Sequence, residues 1–275
     1  MEANFLLKTN HESPPHNKVI FEEFFADTFL EEKPSVSREY IPVCWTNYYV
    51  AKDYCNNDMS DLQNYLDGLN RSKKYFTVCQ WDDGIVNDIE GLDLFIFSSG
   101  GVGHYSYPLN CLPHPPPRSD HPLDRDFLYS FVGAIRGRHQ VRQKMNSSLP
   151  IRPDVFISER LSFGDFQAVL HRSLFSLCPR GYGKTSFRIC ESLQAETIPV
   201  YIYDDPWIPF NDMVPFEEYG ILCHIDDIDS LDQRLQSIST LEAYNLISRG
   251  AEVYDEYYSY DGCYSNIIKK LKELP

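Results

Sequence analysis

The chain has 275 residues, enough for one large or two small domains and for a core that needs no cross-links. Hydrophobic residues at 43% and charged ones at 24% exclude a disordered or collagenous chain. The 40 acidic against 25 basic residues give a formal charge of −15, which repels phosphate backbones and anionic lipid and sets nucleic acid aside as a main partner.

No apolar run reaches the roughly 18 residues that a membrane helix needs. The stretch 1–18 is polar, holds Pro14-Pro15 and lacks a basic-then-apolar leader pattern. The expectation is a soluble, cytoplasmic protein with no membrane span; monomer or dimer stays open. The eight cysteines form no C-x-x-C, so buried reduced thiols are expected and zinc is not. On that reading the triplets at Asn70 and Asn146 match a glycosylation signal by chance.

In chain order, Ile20 to Glu32 carries apolar residues at helical spacing, and Tyr40 to Thr46 reads as a strand. Ser60 is placed to cap a helix running to Asn70, with Leu62, Tyr65, Leu66 and Leu69 on one face. Tyr75 to Gln80 is a strand ending in the polar turn Trp81-Asp82-Asp83-Gly84, and Asp93 to Phe97 is another. From Ser98 to Asp126 the composition turns to glycine and proline, which reads as a linker and sets the expected halves at 1–125 and 126–275. Strands then alternate with helices: Phe127 to Val132, a helix from Gly137 to Met145, Asp154 to Ser158, a helix from Gly164 to Arg172, Leu174 to Cys178, a helix from Thr185 to Ala195, and Ile198 to Tyr203. Two or three helices follow Ile228. Such alternation predicts an α/β protein with parallel sheets covered on both faces, and two of them flanking a cleft.

The segment 179–186, Pro-Arg-Gly-Tyr-Gly-Lys-Thr-Ser, follows a strand and opens a helix. Backbone N–H groups at a helix start favour phosphate, and glycines allow close approach. Arg180 and Arg188 are candidate diphosphate ligands, and Glu191, three residues on, is a candidate acceptor for ribose hydroxyls or simply the partner of Arg188. Gly183-Lys184-Thr185 tempts toward a nucleotide-binding P-loop. The required first glycine, however, falls on Cys178, and Pro179 has no N–H to donate.

The run 177–182, then Ser186, Arg188, Glu191 and Ile198-Pro199-Val200, resembles the donor-binding core of exostosin-family glycosyltransferases. The likeness extends upstream to 131–137 and downstream to Asp204-Asp205 and Pro209-Phe210, covering about 127–216. The N-terminal half matches only at 75–84, where Trp81 replaces the His of the family's His-Asp-x-Gly turn. Glu196-Thr197 stands where the family usually has Gly-Cys. Family members are usually anchored in the Golgi membrane; the short form without an anchor is similar to exostosin-like enzymes of large algal viruses.

The resemblance implies two facing Rossmann-like domains of GT-B type with a reduced N-terminal half, the nucleotide sugar on the C-terminal half and the acceptor glycan on the other. It implies inverting transfer from a UDP-sugar, with UDP-xylose the expected donor. Donor-binding candidates are then Arg136, Arg180, Gly181, Tyr182, Gly183, Thr185, Ser186, Arg188 and Glu191. Asp82, or else Asp83, is the candidate base, and His104 is an acceptor-side candidate. The Asp-x-Asp strings 124–126 and 227–229 do not sit where this family binds its donor, so no obligate cofactor is expected and manganese is not predicted. A catalytically inactive glycan- or nucleotide-binding module and a phosphoryl-transfer enzyme using Lys184 are the alternatives.

Overall fold

The computed structural model describes Phe5, Leu6, Lys8 and residues 20–111, 123–136 and 139–275. Two sheets, parallel at every pairing, organise them. The first has the order β1-β2-β3-β4, from β1 (Glu39–Tyr40), β2 (Lys74–Cys79), β3 (Asp93–Ser98) and β4 (Tyr105–Ser106). The second has the order β6-β5-β7-β8-β9, from β5 (Phe127–Val132), β6 (Val155–Ser158), β7 (Ser173–Pro179), β8 (Ile198–Tyr203) and β9 (Ile221–His224). β2, β7 and β8 are buried almost end to end, as strands covered on both faces must be.

The helices are α1 (Phe21–Glu32), α2 (Trp45–Ala51), α3 (Ser60–Asp67), α4 (Val141–Ser148), α5 (Phe163–His171), α6 (Phe187–Gln194), α7 (Ile228–Ser237), α8 (Thr240–Val253) and α9 (Tyr260–Glu273). Serine side chains cap α5, α6, α8 and α9 at Ser162, Ser186, Ser239 and Ser259, each accepting from a first-turn N–H. α9 returns to the first half, where Tyr260 packs against Phe21 and Tyr264 against Phe25. One buried cluster runs through both halves, joining Phe21, Phe76, Phe97 and Tyr107 to Ile189, Tyr201, Phe216 and Ile267.

Three local expectations are corrected. The strand expected over 40–46 leaves the ladder after Ile41: Pro42 has no N–H to donate, Cys44 N donates to Phe5 O at 3.1 Å, and α2 begins at Trp45. Ser60 is the first residue of α3 and not its cap: Met59 holds the cap position, and Ser60 N and Oγ donate to the Asp58 carboxylate at 2.9 Å each. The helix expected from Gly137 starts at Val141, with 137–138 outside the described residues. β9 was not anticipated, its four residues being too short an apolar run to stand out between acidic segments. The proline run of the expected linker also lies outside the described residues.

Polar contacts complete the junction between the sheets. Lys184 N donates to Gly100 O at 2.8 Å, Thr185 Oγ1 to Ser99 O at 2.6 Å, and Trp207 Nε1 to Ser98 O at 2.9 Å. The turn after β3 therefore interlocks with the turn after β7.

Candidate functional site

β7 ends at Pro179, and the chain turns at once. Arg180 N remains tied to Ile202 O on β8 at 3.0 Å, while Gly181 N donates to Thr185 O at 3.0 Å and closes the turn. Arg180 holds it from inside: Nε donates to Gly183 O at 3.1 Å, Nη2 to Tyr182 O at 3.3 Å, and Nη1 to Asp204 Oδ1 at 2.6 Å. Burial pushes the Asp204 carboxyl up, but its bonds to Arg180 hold it below the ordinary range. Ser186 then caps α6, its Oγ accepting from Arg188 N at 3.3 Å.

α6 carries Arg188 and Glu191 one turn apart, their Nη1 and Oε2 atoms 3.1 Å apart. Arg188 Nη2 donates to Val132 O on β5 at 2.6 Å, and the guanidinium lies 4.0 Å from the Phe166 ring centroid. Its buried Nε makes no hydrogen bond among the described residues. From α4, Arg142 reaches the same place. Its Nε donates to Arg180 O and its Nη1 to Ala134 O, both at 3.1 Å. Burial first, then the Arg188 charge, pull the Arg142 guanidinium below its ordinary pKa.

These groups wall a cavity of about 270 Å³, lined by Arg142, Tyr182, Ser186, Arg188 and Glu191 from the second sheet's side, with Phe131, Val132 and Gly133 beside them and Asp82 from the first sheet's side. The wall thus carries two guanidinium groups, Arg142 and Arg188, and two carboxylates, Asp82 and Glu191, the latter paired with Arg188. Asp82 is held close. A Cβ at Gly183 would lie 2.5 Å from Asp82 Oδ1 and 2.4 Å from Gly100 O, so glycine is what lets the two turns meet.

Of the residues singled out in the sequence, Asp82, Tyr182, Ser186, Arg188 and Glu191 come together at this cavity. Gly181, Gly183 and Thr185 shape its turn. Tyr182 is 65% exposed at the rim, whereas Glu191 is 1% exposed and engaged with Arg188 while still forming part of the wall.

Other candidates lie away from this cavity. Arg180 is not a cavity residue; its guanidinium is taken up by the turn and Asp204. Arg136 is exposed after β5, and the arginine that reaches the cavity is Arg142. His104 does not line the cavity: Nδ1 accepts from Ile96 N at 3.0 Å and the ring stacks on Phe95. Asp83 is exposed and likewise absent from the cavity wall. Lys184, the residue of the P-loop alternative, pairs with Asp205 at 2.7 Å and lies over Trp207.

Sequence reasoning missed Arg142. Arg136 and Arg138 precede it in the sequence within six residues, and spacing alone does not separate the three. It also missed Glu22, whose buried carboxylate anchors the end of β2 by accepting from Gln80 N at 2.5 Å and Thr46 N at 2.9 Å. Burial lifts its pKa to about 7.

Among the described residues, no group of three His, Cys, Asp or Glu side chains is placed to hold a metal ion. Asp126 instead pairs with Arg172, and the Asp227 carbonyl accepts from Ser230. No helix among the described residues is long and apolar enough to cross a membrane. All eight cysteines are unpaired, and only Cys55 is less than fully buried.

Parallel strands that end beside this cavity define an α/β protein with its candidate site at the carboxyl ends of its strands. Residues 104–238 match the exostosin GT47 domain. A rice (Oryza sativa subsp. japonica) protein described as a "probable glucuronosyltransferase" is 42% identical over 71 residues, 26% of this chain and 17% of the relative. An Arabidopsis thaliana protein described as a "probable beta-1,4-xylosyltransferase" is 41% identical over 71 residues, again 26% and 17%. A further Arabidopsis protein, a "probable glycosyltransferase", is 27% identical over 135 residues, 48% of this chain and 26% of its own. The matched segments thus span only 17% to 26% of these relatives. The likeness is thus to exostosin-family glycosyltransferases, over the matched segments. Among solved structures, TarM superposes with a TM-score of 0.45 at 9% identity, covering 78% of this chain and 58% of TarM. At that distance the fold class rests on the two parallel sheets themselves.

Proposed function

We propose that the chain is an inverting glycosyltransferase that takes a UDP-sugar, UDP-xylose first among them, and transfers the sugar to a hydroxyl of a glycan acceptor. Residues 1–125 form the acceptor half in this reading and 126–275 the donor half. The observation that carries it is the pair Arg142 and Arg188 in one cavity that Asp82 also lines. The acceptor oxygen attacks the anomeric carbon, the bond from that carbon to the diphosphate breaks, and UDP leaves. Its growing negative charge meets Arg142, Arg188 and the amides at the start of α6. Asp82 takes the acceptor proton as the new C–O bond forms. Glu191 holds Arg188 in place and is the candidate for the ribose hydroxyls. The two arginines supply the charge that a metal would otherwise bring, so turnover is expected to survive a chelator.

The test pairs UDP calorimetry with UDP-sugar turnover. Arg142→Ala and Arg188→Ala should each weaken UDP binding and cut turnover roughly 100-fold or more. Asp82→Asn should keep UDP binding and lose transfer. Unchanged UDP affinity in both arginine variants refutes the reading. A binding module without catalysis is the second reading, favoured by Trp81 in place of the family's histidine; UDP-sugar bound but never turned over would support it.

A further inference from the structure

The turn that delivers Asp82 to the cavity begins at Trp81, and Gly84 N closes it by donating to Trp81 O at 3.0 Å. The Trp81 ring is half-buried. Beneath it lies Tyr49, fully buried, with ring centroids 5.6 Å apart. Tyr49 is fixed in turn, its hydroxyl donating to Asn87 Oδ1 at 3.1 Å and accepting from Val86 N at 3.0 Å. On the outer side stands Tyr54, 6.1 Å from Trp81 at an interplanar angle of 39° and 65% exposed.

Tyr54 is presented by an unusual backbone. Asp53, Tyr54 and Cys55 have φ of 50°, 54° and 69°, three successive non-glycine residues in the left-handed region that side chains avoid. Backbone bonds keep the coil: Asp53 N to Val50 O at 3.0 Å, Cys55 N to Tyr49 O at 3.3 Å and Asn57 N to Lys52 O at 3.0 Å. The fold therefore holds a large aromatic side chain out in solvent beside Trp81, the residue before the candidate base. Val86 and Val102 are also exposed around the same turn, and a Cβ at Gly84 would lie 2.8 Å from Val102. Asp53, next to Tyr54 in the chain, and Asp83, two residues after Trp81, are both exposed. Asp83 stands near Cys55, whose thiol is pushed up by burial and then by that carboxylate.

Resting on the glycosyltransferase reading, we propose that Tyr54 and Trp81 form the platform on which a sugar ring of a neutral glycan acceptor stacks. Aromatic rings receive the C–H face of a pyranose, and flanking carboxylates accept from its hydroxyls. The same carboxylates repel a uronate or sulfated chain, which is why a neutral glycan is the occupant. Continuity of chain from Trp81 to Asp82 sets the stacked sugar next to the group that would take its proton.

The experiment titrates UDP-loaded protein with neutral β-linked xylo-, gluco-, manno- and galacto-hexasaccharides and with a hexagalacturonate, reading calorimetry and tryptophan fluorescence. At least one neutral hexasaccharide should bind and perturb the emission, and the uronate should bind more weakly. Tyr54→Ala should weaken the neutral ligand on the order of tenfold, while Tyr54→Phe retains it, because stacking and not the hydroxyl is the contact. UDP affinity should be the same in all three proteins. Equal glycan affinity in Tyr54→Ala, preference for the uronate, or no oligosaccharide bound by the UDP-loaded wild type overturns the platform. Failure of the wild type to bind UDP is a separate result and strikes the donor site instead.

Discussion

Gly183→Ala tests how tightly the two turns are locked. Its Cβ would sit 2.4 Å from Gly100 O and 2.5 Å from Asp82 Oδ1, about 1 Å inside ordinary contact. Gly100 O cannot retreat freely, since it accepts Lys184 N at 2.8 Å and a Cβ on Gly100 would itself be only 2.2 Å from Trp81 O. Overpacking of this kind costs about 1–3 kcal/mol, and losing the Lys184–Gly100 bond adds about 1. A loss of about 2–4 kcal/mol lowers the melting temperature by roughly 5–15 °C for a chain of this size. Gly181→Ala is the matched control in the same turn. Its Cβ meets Arg142 Nη2 at 3.6 Å and Thr185 O at 3.8 Å, both ordinary contacts. That variant should melt within a few degrees of the wild type in the same scanning calorimetry, without and with UDP. Equal melting temperatures for the two variants would show that the turns do not meet as described.

Arg180→Ala should cost about 2–4 kcal/mol in urea unfolding, because two turn carbonyls and Asp204 lose a buried charged donor. Lys184→Ala should change UDP affinity by less than about twofold, its ammonium being engaged with Asp205 at a partly exposed site. Glu22 makes stability depend on pH. Its folded pKa of about 7 lies above the ordinary 4.5, so the folded state keeps a proton that the unfolded chain releases. That contribution is complete below about pH 4.5 and lost by about pH 7, a fall of about 3 kcal/mol as pH rises. Glu22→Gln should flatten this part of the profile in urea titrations from pH 5 to 7.5; a slope identical to the wild type's would refute it. Glu196 has φ of 51°, so Glu196→Gly should be neutral or stabilising by up to about 1 kcal/mol, and a loss of more than 1 would contradict the strain assigned there.

The α/β alternation was legible because buried parallel strands read as short apolar runs, and β2, β5 and β8 fall within a residue of their expected bounds. Short ladders were not: β4 is two residues and β1 is cut off by Pro42. The turn at 180–186 was legible as a place, through its glycines and its serine cap. Which arginines serve it was not. Arg180 lies in the motif yet points into its own turn, while Arg142 comes from another helix, and spacing along one chain does not encode such a meeting. Asp82 was found through its turn, but its proximity to Gly183 depends on how the sheets face each other.

The interlocked turns bear on what can be cut from this chain. The recognisable segment begins at residue 104, yet Ser98, Ser99 and Gly100, whose carbonyls pin Trp207, Thr185 and Lys184, lie just before it. A chimera that borrows the matched segment alone would import a turn with its outer supports left behind. Swapping the first sheet for a foreign one must therefore carry over the three carbonyls and the glycines around them.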